Sequence, residues 1–212
     1  MRKLLTKKEA EEVLDLLEID YPDAQCELNH STPFELLVAT ILSAQCTDVR
    51  VNIVTEEMFK RYNEPMDFLN LGIDEIEPLI KTCGLYNKAK NIYMASKMLV
   101  EEYDSKVPST IKELMKLPGV GQKTANVVAS NAFGVPAIAV DTHVFRLANR
   151  IGFVDEKDVL NTEKALQRKI PKARWTKAHH LLIFHGRRVC KARNPLCEEC
   201  SIRQYCKYQR VK

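Results

Sequence analysis

The sequence predicts an all-α protein. Apolar residues recur at helical spacing, helix start and stop signals follow one another along the chain, and strand signals are almost absent. Ala10, Val13, Leu14 and Leu17 fall at i, i+3, i+4 and i+7, and Val144, Leu147, Ala148 and Ile151 repeat the pattern, so both segments read as amphipathic helices. Thr32-Pro33-Phe34-Glu35 combines an N-cap, a proline at the first helical position and a capping-box glutamate, which predicts a helix from about Pro33 to Cys46. Asp48, Asp74, Asn87, Ser109 and Asp141 are further N-cap candidates, and Gly84 and Gly134 stand where helices would stop. Roughly ten helices of modest length result. The one strand-like stretch, Val135 to Val140, contains Pro136 and reads as an extended connector.

Bulk properties narrow the function classes. A chain of 212 residues buries a real core without disulfides. Its seven cysteines are an odd number and its start, Met1-Arg2-Lys3, is charged, which fits a reducing cytoplasm. No apolar run approaches the roughly 20 residues that cross a bilayer, so no membrane role is expected. The net charge of +4 is modest, and any affinity for nucleic acid must come from how charge is arranged. Between Arg168 and Cys197 there are nine Lys or Arg residues and no Asp or Glu, a one-signed stretch suited to a phosphate backbone.

Leu114 to Ala125 reads as the end of one helix, a tight glycine turn and the start of another, a helix-hairpin-helix spanning about residues 112–131. Gly119 and Gly121 are expected to adopt backbone angles that side chains forbid and to leave amide N–H groups uncovered at the positive end of the following helix, where a phosphate docks. Lys123 stands in that first turn, where the helix dipole opposes a cation by about 0.3–1 kcal/mol. Two roles are open to it: a cation gripping phosphate, or an amine nucleophile able to form a Schiff base. Asp141, in Val140-Asp141-Thr142-His143, is an N-cap whose carboxylate is also suited to stabilising nearby positive charge. His143 is assigned no chemistry.

Cys190, Cys197, Cys200 and Cys206 leave gaps of six, two and five residues, a spacing that wraps one inorganic centre, zinc or an iron-sulfur cluster. Lys191 and Arg193 lie within this loop. Cys26, Cys46 and Cys83 read as plain thiols.

Leu-Ser-Ala-Gln at 42–45, Gly-Leu-Tyr-Asn at 84–87, Leu-Pro-Gly-Val-Gly-Gln-Lys-Thr-Ala at 117–125, Val-Asp-Thr-His at 140–143 and the cysteine loop at 190–206 occur in the order and spacing that resemble the endonuclease III family. The resemblance covers essentially the whole chain. It implies a six-helix barrel domain at residues 25–135 and a 4Fe-4S cluster domain made of residues 1–24 and 136–212, with a DNA-binding cleft between them. It also implies a monomeric, cytoplasmic, prokaryotic enzyme that excises oxidised pyrimidines from double-stranded DNA and nicks abasic sites. Lys123 would be the nucleophile and Asp141 its carboxylate partner. Gln45 would enter the space left by the flipped base, Leu85 would wedge into the stack, and Gly119, Gly121, Lys191 and Arg193 would hold phosphates. The four cysteines would hold the cluster as a folding staple. Gln122 departs from the arginine common in relatives, and Cys46 from threonine or alanine. Two rivals are a monofunctional adenine glycosylase, disfavoured by Lys123, and a non-enzymatic DNA-binding module.

Overall fold

The structure, a computed structural model, describes residues 4–84 and 86–208. Among these residues there are eleven α-helices and no strand, in keeping with the all-α expectation. In chain order they are α1 (Lys7–Asp20), α2 (Pro33–Leu42), α3 (Asp48–Phe59), α4 (Pro65–Leu71), α5 (Ile73–Ile80), α6 (Tyr86–Glu102), α7 (Ile111–Leu114), α8 (Gln122–Phe133), α9 (Thr142–Leu147), α10 (Val159–Lys169) and α11 (Trp175–Arg188). The chain divides into two units, Cys26–Val135 and Met1–Gln25 with Pro136–Lys212. The stretch from Val135 to Val140 is extended and carries no regular structure, as Pro136 dictates.

In the first unit α2 is the central element. Every residue from Phe34 to Leu42 is buried, and α3, α6 and α8 pack around it. A helix apolar on all sides is stable only when wrapped in this way. Phe34 meets Phe68 of α4 edge to face, with ring centroids 5.6 Å apart. Thr32 Oγ1 accepts the Glu35 amide at 3.1 Å, but the Glu35 carboxylate turns to the amide and hydroxyl of Ser31 and does not close the expected box on Thr32. The helix also stops at Leu42 rather than Cys46: the Ala44 amide turns to Ile41 O at 3.4 Å, the Ser43 hydroxyl donates to Thr40 O at 2.8 Å, and Gln45 follows with a left-handed φ of 57°.

Several expected caps shift by a residue or two. The Thr47 hydroxyl accepts the Arg50 amide at 3.3 Å and the Thr110 hydroxyl that of Glu113 at 3.2 Å, displacing Asp48 and Ser109 as caps. Gly72 precedes α5, leaving Asp74 in the first turn, where its carboxylate suits the helix dipole. Asn87 lies inside α6.

In the second unit α1 and α9 pack against α11. The buried face of α1 is Ala10, Val13, Leu14 and Leu17, the four residues of its periodic pattern. Val144 and Leu147 of α9 are buried, and so are Ala148 and Ile151, although the helix passes there into a π-turn over Ala148–Gly152. Gly186 lets α9 approach α11: a Cβ there would lie 3.0 Å from His143 Nδ1 and 3.1 Å from Leu147 Cδ1.

The basic stretch from Arg168 is partly structural. Lys169 donates to the Leu5 carbonyl, Lys177 to the carbonyls of Pro22 and Ala24, and Arg174 pairs with Asp15 and Glu18. The Arg188 guanidinium lies over Phe184, 4.4 Å from the ring centroid. Three of the nine cations that the sequence offers to phosphate, Lys169, Arg174 and Lys177, therefore bind α1 and the segments before and after it to the rest of the unit.

His180 of α11 is buried, and burial, with His179 and Lys177 nearby, pushes its imidazole down to about 3 from 6.5. The unfolded chain takes up a proton near 6.5 and the folded one refuses it until about 3, so stability is complete above 6.5 and falls as pH drops through that window. At about pH 5 the loss from this group is roughly 2 kcal/mol. Urea unfolding at neutral and acid pH is expected to show this decline, and His180→Gln to make it shallower, with the buried His185 supplying part of the remainder; an equal slope in the variant would contradict the assignment.

Candidate functional site

The hairpin is built by a short helix, a hydrogen-bonded turn and a long helix. Met115 N donates to Ile111 O at 3.0 Å, Leu117 N to Leu114 O at 3.1 Å and Val120 N to Leu117 O at 3.1 Å, leading the chain from α7 into α8. Gly119 has φ 79°, and a Cβ there would lie 2.7 Å from Asn91 Cβ on α6. Conformation and space both demand glycine. Gly121 differs from the sequence expectation: its φ of −89° is open to any residue, and nothing lies within 4 Å of the position a Cβ would take. What glycine contributes at 121 is the absence of a cap. Thr6, Thr32, Thr47, Thr110, Asp141 and Asp158 each cap a helix by accepting a backbone amide, whereas α8 begins without a side-chain cap and with no acid in its first turn. Its leading N–H groups and the positive end of its dipole have no side-chain acceptor or acid to offset them.

Lys123 lies in this first turn and is exposed. Gln122, just before it, donates from Nε2 to Asn126 Oδ1 at 2.9 Å, so its side chain lies along the helix. Gln45 is exposed on the loop after α2, in the left-handed conformation that a residue other than glycine adopts only when its surroundings hold it there. Leu85 lies outside the described residues. The hairpin, Lys123 and Gln45 belong to the Cys26–Val135 unit and Asp141 to the other. A hollow of the first unit, about 880 Å³ and lined by Thr32, Glu64, Lys106 and Phe133 among others, contains none of these residues.

Asp141 caps α9 as expected, its Oδ1 accepting the Val144 amide at 2.7 Å. The same helix grips the cysteine loop. Arg146 Nη2 donates to the carbonyls of Gly186 and Cys190, both at 3.0 Å, and Arg150 donates to those of Lys191 at 2.8 Å and Ala192 at 2.9 Å. Lys191 and Arg193 are exposed on that loop. Neither arginine was singled out from the sequence. The available signal was their i, i+4 spacing downstream of Asp141, which puts both on one face of α9 and its continuation.

Cys190, Cys197, Cys200 and Cys206 line one apolar hollow of about 360 Å³, with Ile151 and Ile202 in its wall. All seven cysteines of the chain are free thiols. Burial pushes the Cys200 thiol up to about 11 and raises that of Cys190, so four thiolates gathered here require positive charge among them. His185, buried and pushed down to about 4, is neutral; its Nδ1 meets the Tyr21 hydroxyl at 3.0 Å and its Nε2 meets Cys200 Sγ at 3.5 Å. A hydroxyl donating to Nδ1 leaves the ring's own proton on Nε2, facing the sulfur. An all-sulfur donor set in an apolar hollow, with a neutral imidazole 3.5 Å from one sulfur, fits an iron-sulfur cluster.

Residues 38–172 match the family described as the HhH-GPD superfamily base excision DNA repair protein, and residues 190–206 match the iron-sulfur binding domain of endonuclease III. Endonuclease III of Bacillus subtilis (strain 168) is 54% identical over 206 residues, covering 96% of this chain and 94% of that protein. A solved non-covalent endonuclease III–DNA complex superposes with a TM-score of 0.93 at 50% identity, covering 98% of both chains. A trapped endonuclease III–DNA covalent intermediate gives 0.93 at 49% identity, covering 99% of this chain and 100% of that one. With its helix-hairpin-helix and its 4Fe-4S cluster loop, the chain belongs to the endonuclease III family, bifunctional DNA glycosylase/lyases of base excision repair.

Proposed function

We propose that this enzyme excises oxidised pyrimidines from duplex DNA and nicks the resulting abasic site by β-elimination, with Lys123 as nucleophile and Asp141 as its carboxylate partner. The observation that carries the reading is the uncapped first turn of α8 with Lys123 exposed upon it. A backbone phosphate held at those amides brings the adjoining sugar within reach of the amine. The capture of a covalent DNA intermediate for a protein 49% identical over nearly the whole chain supports an attached enzyme-sugar species here as well.

A damaged nucleotide stacks and pairs poorly, so extruding it costs less than extruding an intact one. The Lys123 amine then attacks C1′, and the glycosidic electron pair leaves with the base. Asp141 offsets the positive charge that builds on the sugar and accepts the proton that the amine loses. Ring opening, with Asp141 returning that proton to O4′, yields a protonated Schiff base, which acidifies the C2′ hydrogen. Solvent water takes the C2′ proton, the freed electron pair forms the C2′–C3′ double bond, and the 3′ phosphate leaves with the C3′–O pair. Gln45 and Leu85 enter the duplex to hold it open, while the amides beside Gly119 and Gly121, with Lys191 and Arg193, take phosphates without reading sequence. The enzyme acts as a monomer in a prokaryotic cytoplasm; among the described residues no helix is long and apolar enough to cross a membrane.

Lys123→Gln and Asp141→Asn test the assignment as a pair. Gln at 123 is expected to lower nicking by about a thousandfold or more while damaged duplex still binds within about threefold of the parent. Asparagine caps a helix about as well as aspartate, so Asp141→Asn should keep its unfolding temperature and lose on the order of a hundredfold in turnover. A variant at 123 that only weakens binding would mark that lysine as a phosphate grip, and unfolding of the Asp141 variant would mark a purely structural cap.

The cluster acts as a staple. Residues 190–206 form only a short 3-10 turn at Cys197–Glu199, and of the loop's side chains Ile202 and Cys206 alone are buried. Oxidative removal of the cluster should lower both the unfolding temperature and the affinity for DNA. Unchanged affinity without it would refute the staple role.

A further inference from the structure

Lys88 stands in the first turn of α6, an end where the helix dipole disfavours a cation. Its ammonium is directed elsewhere. Nζ donates to the carbonyl of Leu42 at 2.7 Å and to that of Cys83 at 2.5 Å. Leu42 is the last residue of α2, and its carbonyl is among those that a helix end leaves without an internal partner. Cys83 closes the 3-10 turn Lys81–Cys83. From Leu42 the chain runs through Ser43 and Ala44 to Gln45, and from Cys83 it runs through Gly84 to Leu85. A single ammonium thus joins the end of α2 to the turn before α6, two points distant in sequence. The space beside Gly84 is filled by the same group, since a Cβ there would lie 3.3 Å from Lys88 Nζ. Gln45, three residues beyond Leu42, has a positive φ of 57°, a conformation that costs energy for a residue other than glycine.

We propose that Lys88 is a positioning residue for base extrusion, tying the end of α2 to the Lys81–Cys83 turn so that Gln45 is held where it can enter the duplex. The proposal rests on the reading of Gln45 and Leu85 as the inserted pair and concerns Gln45 of that pair. Lys88 acts through the loops and not on the reacting atoms, so its removal should impair the step that unstacks a base more than the chemistry that follows.

The test uses the full-length, cluster-loaded enzyme on a duplex carrying thymine glycol opposite 2-aminopurine, whose fluorescence reports unstacking, and on the same duplex with a preformed abasic site. Lys88→Met removes both donors, and Lys88→Gln keeps one amide able to reach a single carbonyl. Both are expected to slow single-turnover base release by about tenfold to a hundredfold and to lower the 2-aminopurine signal, with nicking of the abasic duplex held within about threefold. Gln45→Ala, run alongside, should lower the signal too. If Gln45→Ala leaves the signal unchanged, the inserted-pair reading fails and this proposal fails with it. If Gln45→Ala lowers the signal and the Lys88 variants do not, only the role of Lys88 is overturned. Should both steps slow equally in Lys88→Gln, together with a lower unfolding temperature, Lys88 serves the fold alone and the proposal is likewise overturned; Lys88→Gln decides the matter if Lys88→Met does not fold.

Discussion

Asn91 on α6 lies where a side chain at position 119 would have to go, and this contact sets the path of the chain into α8. The turn can pass only as glycine in a positive-φ conformation. No side chain returns to cap the first amides of α8. The chain gives up a favourable local interaction there, about 1 kcal/mol for a typical N-cap. The packing of α2 against α6 and α8 supports the arrangement from behind, since the helix carrying Asn91 and the helix carrying Lys123 share that buried neighbour.

The second unit follows a similar logic with different parts. Its catalytic candidate, Asp141, begins α9, and the same helix and its π-turn extension carry Arg146 and Arg150, which hold the backbone where the cysteine loop begins. Gly186 allows α9 to lie close on α11. Tyr21 at the end of α1 reaches the cluster wall through His185, so elements distant in sequence meet at one sulfur. A loop with so little apolar burial of its own is held by these carbonyl contacts.

The sequence made some of this legible and concealed the rest for identifiable reasons. Strong periodicity marked α1 and α9 because each buries a single stripe, and the Asp141 cap was visible because an aspartate directly before an apolar helical pattern has one obvious use. Caps where threonine and an acid or serine compete, at 47–48 and 109–110, came out a residue away, since local sequence ranks such groups almost equally. The early end of α2 depends on the conformation of Gln45, which no propensity announces. The basic stretch misled in part because its partners, Asp15, Glu18 and the Pro22 carbonyl, lie some 150 residues away and meet it only in the folded chain. Lys88 was invisible for the same reason, since backbone carbonyls have no sequence signature. The start of α8 lacks a side-chain cap, and the angle argument holds for Gly119 and not for Gly121.

At the centre of the account is the claim that the amine at 123 becomes covalently joined to the sugar. Borohydride reduction during reaction with duplex DNA containing thymine glycol, beside undamaged duplex, followed by mass-spectrometric mapping of the adduct, addresses it directly. The account predicts a damage-dependent adduct on the peptide bearing Lys123. An adduct at another residue, or free base released with no adduct while the cluster is intact and DNA is bound, would contradict it.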